Sequence, residues 1–159
     1  MFIFVTTVFV IIPLICTKID TLFPFPRILI GIDSLLGAIP LIIGGILALW
    51  CVILFFIVGK GTPSPLYPPE KFVVRGPYKY TRNPMMLALW LTLIGEALTL
   101  HSLTLLLFTV FISVPAGVLF VTKREERDLE KRFGNEYLEY KRKVPRWIPK
   151  PQAIPRNNR

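Results

Sequence analysis

The longest apolar run in the sequence, residues 28–58, limits what this chain can fold into more than any other feature. It carries one charge, Asp33, in 31 residues. A continuous helix of that length would measure about 46 Å, against about 30 Å for the hydrocarbon core of a bilayer. We therefore expect a membrane span over residues 38–58, with residues 28–37 at the interface or in a first helical turn.

Three further apolar runs predict membrane helices. Residues 2–16 form a first span, bent at Pro13, and the polar residues 18–27 that follow form a turn. Residues 85–100 and 103–121 form a third and a fourth span. They are joined by the tight turn His101-Ser102, so that residues 85–121 make a helical hairpin.

The tail, residues 122–150, is highly charged and has a helical pattern. Its apolar residues recur at spacings of three and four, at Leu129, Phe133, Tyr137 and Tyr140. The predicted fold class is an all-α integral membrane protein with about four transmembrane helices, a helical hairpin and a C-terminal cytoplasmic amphipathic helix. We expect a single membrane domain over residues 1–159, made of two spans (1–58), a cofactor loop (59–84), the hairpin (85–121) and the tail (122–150).

The charge is distributed unevenly along the chain. The net charge is +9, and all of the excess lies from Gly59 onward, with 17 Lys and Arg against 8 Asp and Glu. The positive-inside rule places the loop 59–84 and the tail on the cytoplasmic side, and four crossings place the N-terminus there as well. Beside apolar spans, such an excess favours anionic lipid head groups as the partner, and we expect no nucleic-acid partner.

Two kinds of isolated residue, the cysteines and a glutamate within an apolar run, could carry chemistry of their own. Cys16 and Cys51 lie in apolar runs without metal-ligand spacing, so we expect neither a metal site nor a disulfide. Glu96 is a carboxylate near membrane depth, which makes it either a functional candidate or a residue that reaches the outer interface.

The most informative stretch lies between the second and third predicted spans. Residues 59–86 are rich in Pro and Gly, and their five cations face a single acid, Glu70. So long a loop inside a compact protein is typically functional or disordered. Its aromatic and β-branched content argues against disorder.

Several motifs of this loop and of the tail occur in a specific order. They are Arg75-Gly76-Pro77-Tyr78, Arg82-Asn83-Pro84, Glu125-Glu126, Phe133-Gly134-x-Glu136-Tyr137-x-x-Tyr140 and Val144-Pro145. This pattern, over residues 59–149, resembles the superfamily of isoprenylcysteine carboxyl methyltransferases and phospholipid methyltransferases. The resemblance implies an S-adenosylmethionine pocket at the cytoplasmic face and a lipid-soluble or lipid-anchored acceptor with a carboxylate or amine head.

The resemblance also implies which residues contact the cofactor. They are Gly59, Gly61, Lys71, Phe72, Val73, Tyr78, Asn83, Pro84, Met85, Met86, Glu125 and Glu126. The prenylcysteine branch usually has His in the place of Asn83 and Tyr in the place of Met86, which makes a prenylated acceptor less favoured.

The chemistry of these residues suits S-adenosylmethionine. Glu125 or Glu126 can pair with its ammonium or accept from its hydroxyls, and Arg82 with the N–H groups at the Pro84 helix start suits its carboxylate. Tyr78 or Tyr80 can pack on the adenine or the sulfonium.

The acceptor decides which catalytic residues are needed. A carboxylate acceptor requires no base, whereas for an amine acceptor Glu126 or a neighbouring carboxylate is the candidate base. Arg124 or Lys123 would hold an acidic acceptor.

Two other functions fit parts of the pattern. A membrane reductase would bind a nicotinamide cofactor with a similar C-terminal half, and a non-enzymatic membrane scaffold would use the basic tail only to grip lipid. The sequence leaves open the acceptor, the oligomeric state, and which of Glu125 and Glu126 contacts the cofactor.

Overall fold

A computed structural model describes residues 5–23, 33–62 and 69–150, and throughout these ranges the regular structure is helical. Helix α1 begins as a π-helical segment, Thr7–Ile11, and continues as the α-helix Ile12–Leu22. Helix α2 is Asp33–Ile57 and helix α3 is Pro84–Thr99. Helix α4 runs over Leu103–Lys143, and a short 3-10 helix, Gly76–Lys79, lies between α2 and α3.

The chain divides into two compact units. Unit 1 consists of Met1–Ile46 and Ala88–Leu119, and unit 2 of Leu47–Leu87 and Phe120–Arg159. Unit 1 has a small core around Cys16, Ala97 and Leu105. Unit 2 has two buried clusters and contains the loop and tail motifs described above.

The helix boundaries follow the sequence closely at α3 and less closely elsewhere. Helix α3 starts at Pro84, because proline has no N–H to leave unpaired at a helix start and its backbone is already set for the helix. Helix α2 starts at Asp33, so residues 33–37 form its first turns, and the helix continues through Pro40.

Helix α1 extends to Leu22, past the point where residues 18–27 were expected to turn; residues 24–27 lie outside the described residues. The carboxylate of Asp20 explains the extension, because it has partners in unit 1. It accepts hydrogen bonds from the hydroxyls of Ser102 and Thr104 and from the Thr104 N–H. These groups lie at the start of α4, where free N–H groups favour a negative charge.

The fourth span and the tail, predicted as separate elements, belong to one helical element, Leu103–Lys143, which is continuous from the apolar part into the tail and kinked at Gly134. Its irregularities are local. A π-helical segment, Thr109–Ser113, ends two residues before Pro115, where the missing proline N–H interrupts the regular hydrogen bonding. A second one, Val121–Glu125, joins the apolar part to the tail, and Gly134 breaks the helical backbone with a φ of 51°.

Glycines permit the close packing of α2 on α3 within unit 1. A Cβ added to Gly44 would lie 2.7 Å from the backbone nitrogen of Thr92 and 2.8 Å from the carbonyl oxygen of Ala88. A Cβ on Gly95 of α3 would likewise lie 2.4 Å from the backbone nitrogen of Leu41. Small residues that let two backbones approach are typical of helix contacts in membranes.

The outer surfaces of the helices are apolar. Helix α2 exposes Leu35, Ile39, Ile46, Leu49 and Ile57, each to more than half of its area. By length and composition, Leu35–Ile57 and the apolar part of α4 suffice to cross a membrane, and α3 is a shorter apolar helix. A soluble protein would not expose such continuous apolar surface.

The two adjacent glycines of α2 provide a test of this packing. We expect Gly44→Ala to destabilise the protein by about 1–3 kcal/mol, because the added methyl meets backbone atoms that cannot move aside. Gly45→Ala is the matched control, since nothing lies within 4 Å of its added Cβ. It should be neutral or stabilise by up to about 1 kcal/mol through helix propensity. Thermal unfolding in detergent measures both, and equal effects would contradict the contact.

Candidate active site

A cavity of about 250 Å³ lies within unit 2. One wall comes from the chain between α2 and α3, including Lys71, Phe72 and Tyr78. The facing wall comes from α4, including Glu125 and Tyr137. The volume is close to the lower end of the range for small-molecule sites, about 300–1,000 Å³, and the mainly apolar wall with few polar groups is typical of such sites.

Phe72 is the centre of the aromatic cluster that joins the two walls. Its ring lies 5.2 Å from that of Phe133, 5.6 Å from that of Tyr137 and 5.0 Å from that of Tyr140, measured between centroids. The last two pairs are edge to face, the favoured geometry for aromatic rings. The apolar residues at three- and four-residue spacing on the tail therefore form the face that packs on the loop.

A hydrogen bond between tyrosines closes one end of this contact. The Tyr140 hydroxyl donates to the carbonyl oxygen of Tyr78 at 2.7 Å, in a buried environment. Burial raises the pKa of the Tyr78 hydroxyl well above its usual value, and it raises the pKa of Tyr137 to about 12. Both side chains are thus neutral at physiological pH and supply aromatic surface and uncharged hydroxyls to the cavity.

The consecutive residues Glu125 and Glu126 have different environments. Successive residues of a helix point about 100° apart, so the two carboxylates cannot face the same way. Glu125 lines the cavity, where burial and the neighbouring charge of Glu126 raise the pKa of its carboxyl group. Both lie where the π-helical segment Val121–Glu125 ends, and π-helical turns are frequent at functional sites.

Glu126 is the centre of a buried ion cluster. Its side chain is 5% exposed, and its Oε1 lies 2.9 Å from Nη1 of Arg82. Arg146 donates from Nε to Oε1 and from Nη2 to Oε2, both at 2.9 Å. Lys141 lies farther away, at 3.7 Å, and pairs with Glu130. Such paired geometry is what offsets the cost of burying a carboxylate.

The segment before α3 is held by the C-terminal strap, which we define as residues 144–150. The N–H of Arg82 donates to the carbonyl oxygen of Pro145 at 2.9 Å. The Thr81 hydroxyl and the Asn83 side-chain amide both donate to the carbonyl oxygen of Arg146, at 2.9 and 3.2 Å. The strap therefore fixes three consecutive residues, two of which line the cavity.

The cavity brings together most of the residues predicted for the cofactor. Those on its wall are Lys71, Phe72, Val73, Tyr78, Arg82, Asn83, Met85, Met86 and Glu125. The predicted residues that are not on its wall are Gly59, Gly61, Pro84, Arg124 and Glu126.

The five predicted residues that do not line the cavity lie elsewhere in the described structure. Gly59 and Gly61 lie at the end of α2, where their N–H groups donate to carbonyl oxygens of the last helical turn. Pro84 is the buried first residue of α3, Glu126 lies in the ion cluster, and Arg124 is exposed on α4. Glu96 belongs to unit 1 and does not line this cavity.

Several wall residues were not predicted from the sequence. They are Phe55, Thr62, Pro69, Phe120, Asp128, Leu129, Arg132, Phe133, Tyr137 and Tyr140. The helical spacing of Leu129, Phe133, Tyr137 and Tyr140 predicted a buried face, but it did not predict which part of the chain packs on that face. The motif Val144-Pro145 lies in the strap, but no local signal marks Arg146, because its contacts with Thr81 and Asn83 are made to residues about sixty positions earlier.

The fold and the cavity define a class: a helical protein with apolar helices able to cross a membrane and a polar-tipped cavity of cofactor size. The family model described as phospholipid methyltransferase matches residues 32–136, about two thirds of the chain. No match is found among curated proteins or among solved structures. The chain belongs to the phospholipid methyltransferase family.

This membership identifies the protein as a membrane methyltransferase that uses S-adenosylmethionine, and its acceptor as a phospholipid. It confirms the resemblance seen in the motifs. It decides against the reductase and the scaffold, because neither carries out methyl transfer.

The residues of the cavity fit this cofactor. Arg82 is 10% exposed and lines the cavity, and among the described residues its buried Nε has no hydrogen-bond partner. An unused guanidinium donor is what a carboxylate requires, and the Glu125 carboxylate offers the complementary charge for an ammonium or acceptors for hydroxyls. The aromatic wall suits the adenine and the sulfonium.

Removing the Tyr140 hydroxyl tests the contact between the two walls. We expect Tyr140→Phe to lower stability by about 1–3 kcal/mol, because the buried carbonyl oxygen of Tyr78 loses its donor. Tyr80→Phe, at a side chain that is 47% exposed, is the control and should have little effect. Thermal unfolding measures both. No difference between the variants would contradict the stabilising role of this hydrogen bond.

Proposed function

We propose that the cavity of unit 2 binds S-adenosylmethionine and that the enzyme transfers the methyl group to the amine head of a phospholipid. The observation that carries the proposal is that Glu125 and Arg82 line the same aromatic-walled cavity. These two side chains have opposite charges, as the ammonium and carboxylate ends of the cofactor require. Glu125, rather than Glu126, is the carboxylate that contacts the cofactor, since both oxygens of Glu126 accept from Arg146.

The other residues of the site have roles that follow from their positions. Arg82 binds the cofactor carboxylate, and Asn83, at the start of α3, helps to hold the same carboxylate. Phe72 and Tyr78 supply ring faces for the adenine and the sulfonium. Glu126 acts as the counter-ion of Arg82. The base role predicted for it from the sequence has no support in this geometry.

Besides alignment, methyl transfer to an amine requires that the amine lose its proton to solvent before the attack, because only the free lone pair can react. When bound, the cofactor would supply an electrophilic methyl carbon; in-line attack by the amine nitrogen of the acceptor would break the bond between that carbon and sulfur, with S-adenosylhomocysteine as the leaving group. The rate then comes mainly from holding the two reactants aligned and excluding water, which the aromatic cluster around Phe72 does.

The acceptor is held by its phosphate. Lys123 and Arg124 are exposed on α4 immediately before Glu125. A phospholipid phosphate on these cations leaves the amine head directed toward the cavity. This is the role that the sequence assigned to Arg124 for an acidic acceptor.

The proposal includes the membrane arrangement. Four spans cross the bilayer: α1, the part of α2 within residues 38–58, α3, and the apolar part of α4. The loop 59–84 and the tail 122–150 lie on the cytoplasmic side, as does the N-terminus. The excess of cations in these segments supports the arrangement.

Cofactor binding tests the assignment of Glu125. The wild-type protein in detergent should bind S-adenosylmethionine and S-adenosylhomocysteine in calorimetry but not NADPH. Glu125→Gln should weaken binding of both adenosyl compounds by about ten- to a hundredfold, the range for a hydrogen bond to a charged group. Glu139→Gln, an exposed acid on the same helix, is the control and should bind normally.

The pH dependence of binding is a second readout from the same proteins. Because the pKa of Glu125 is raised, its carboxylate is protonated at a higher pH than an ordinary glutamate. The affinity of the wild type should therefore fall on acidification, and the fall should begin at a pH above the usual carboxyl range. Glu125→Gln should lack this fall. Absence of adenosyl binding in the wild type would refute the proposed cavity.

Transfer of label to lipids tests the acceptor. With methyl-labelled S-adenosylmethionine, we expect label in phospholipids with an amine head and none in phosphatidylglycerol, which has no amine. Lys123→Gln with Arg124→Gln should raise KM for the lipid about tenfold and leave cofactor affinity unchanged, because the lost contacts are to phosphate alone. Lys131→Gln with Arg142→Gln, two exposed cations farther along the tail, is the charge-matched control. Equal effects of the two pairs would contradict a specific phosphate contact.

A further inference from the structure

Within the strap, Arg146 makes two kinds of contact with residues around the cofactor cavity. Its carbonyl oxygen accepts from Thr81 and Asn83, and its guanidinium binds Glu126 with two hydrogen bonds. The first contact belongs to the backbone and persists when the side chain is changed. The second can be removed by substitution alone.

The two arginines that share Glu126 are not equivalent. The two contacts from Arg146 are aligned hydrogen bonds, whereas Nη1 of Arg82 is at ion-pair distance without hydrogen-bond alignment. A bidentate guanidinium pair is the strongest of these arrangements. Arg146 therefore satisfies most of the demand of the buried carboxylate.

This difference between the two arginines is important because Arg82, like Lys71 and Arg132, is a cation on the cavity wall. Because Arg146 occupies Glu126, the Nε of Arg82 remains unused among the described residues, although the side chain is only 10% exposed. Without the Arg146 guanidinium, Arg82 would be the principal partner of Glu126. Lys141 lies 3.7 Å away and is paired with Glu130, so it is a poor substitute.

We infer that Arg146 is a positioning residue of the cofactor site, which neutralises Glu126 so that Arg82 remains available to the carboxylate of the ligand. The inference rests on the proposed function of the cavity, and it assigns a role to a residue outside the cavity wall. Arg146 touches neither reactant and acts through Glu126 and Arg82.

A pair of ligands that differ only in the carboxylate separates this role from general support of the fold. S-adenosylmethionine has the carboxylate and its decarboxylated form lacks it. Arg146→Gln should weaken the first about tenfold, the lower end for a hydrogen bond to a charged group, and the second less than twofold. Calorimetry in detergent measures both affinities. A purely structural role would weaken the two ligands equally.

Two further variants examine the route through Glu126. Glu126→Gln combined with Arg146→Gln should recover affinity for S-adenosylmethionine relative to Arg146→Gln alone, because no buried carboxylate then competes for Arg82. Arg146→Lys keeps the charge but not the bidentate geometry and should lie between the wild type and Arg146→Gln. Arg142→Gln, which removes an exposed cation near the end of α4, is the control and should leave both affinities unchanged.

The outcomes distinguish the two proposals. A wild type that does not bind S-adenosylmethionine refutes the cavity assignment itself. A wild type that binds, with the same ratio of affinities for the two ligands in Arg146→Gln, refutes only the role of Arg146. If Arg146→Gln does not fold, the variant that combines Glu126→Gln with Arg146→Gln decides. A near-wild-type ratio of affinities for S-adenosylmethionine and its decarboxylated form supports the inference, and loss of that ratio overturns it.

Discussion

The buried carboxylate of Glu126 is the interaction on which the rest of unit 2 depends. It joins three segments of the chain: the segment before α3, the tail part of α4, and the strap. Removing such a carboxylate from water costs several kcal/mol, which only well-placed cations and hydrogen bonds offset. The loop, the helix and the strap must therefore meet at one place for this charge to be tolerated. The same meeting forms the cavity, because Arg82 belongs to both.

The cavity combines a packed aromatic wall with ionisable side chains. The rings around Phe72 provide a packed apolar wall, and the hydrogen bond from Tyr140 to the backbone of Tyr78 fixes the loop against α4. The wall carries charged groups of both signs, among them Arg82 and Glu125, as a ligand with both an ammonium and a carboxylate requires. A methyltransferase can work with such a site, since alignment and exclusion of water supply most of what methyl transfer requires.

Unit 1 is stabilised by different means. Its helices approach through glycines, and the hydroxyls of Thr92, Thr99 and Thr109 bond back to carbonyl oxygens four residues earlier in their own helices. The Asp20 cap at the start of α4, described above, is a partly buried polar network of unit 1. Packing of this kind suits lipid, where apolar burial between helices contributes little and every polar group needs a partner within the protein.

The sequence by itself determined the helical class, the start of α3 at Pro84, the family, and nine of the residues that line the cavity, because these depend on composition, local backbone preference and short motifs. It did not separate Glu125 from Glu126, and it gave no sign that α4 continues unbroken from the apolar part into the tail. Tertiary structure alone decided those points. The two glutamates are chemically identical, and only the placement of Arg82 and Arg146 makes one a counter-ion and leaves the other facing the cavity. The sequence motif Val144-Pro145 did not reveal the hydrogen bonds of the strap, since these join residues 63 or more positions apart and end on backbone carbonyl oxygens, which every residue type carries.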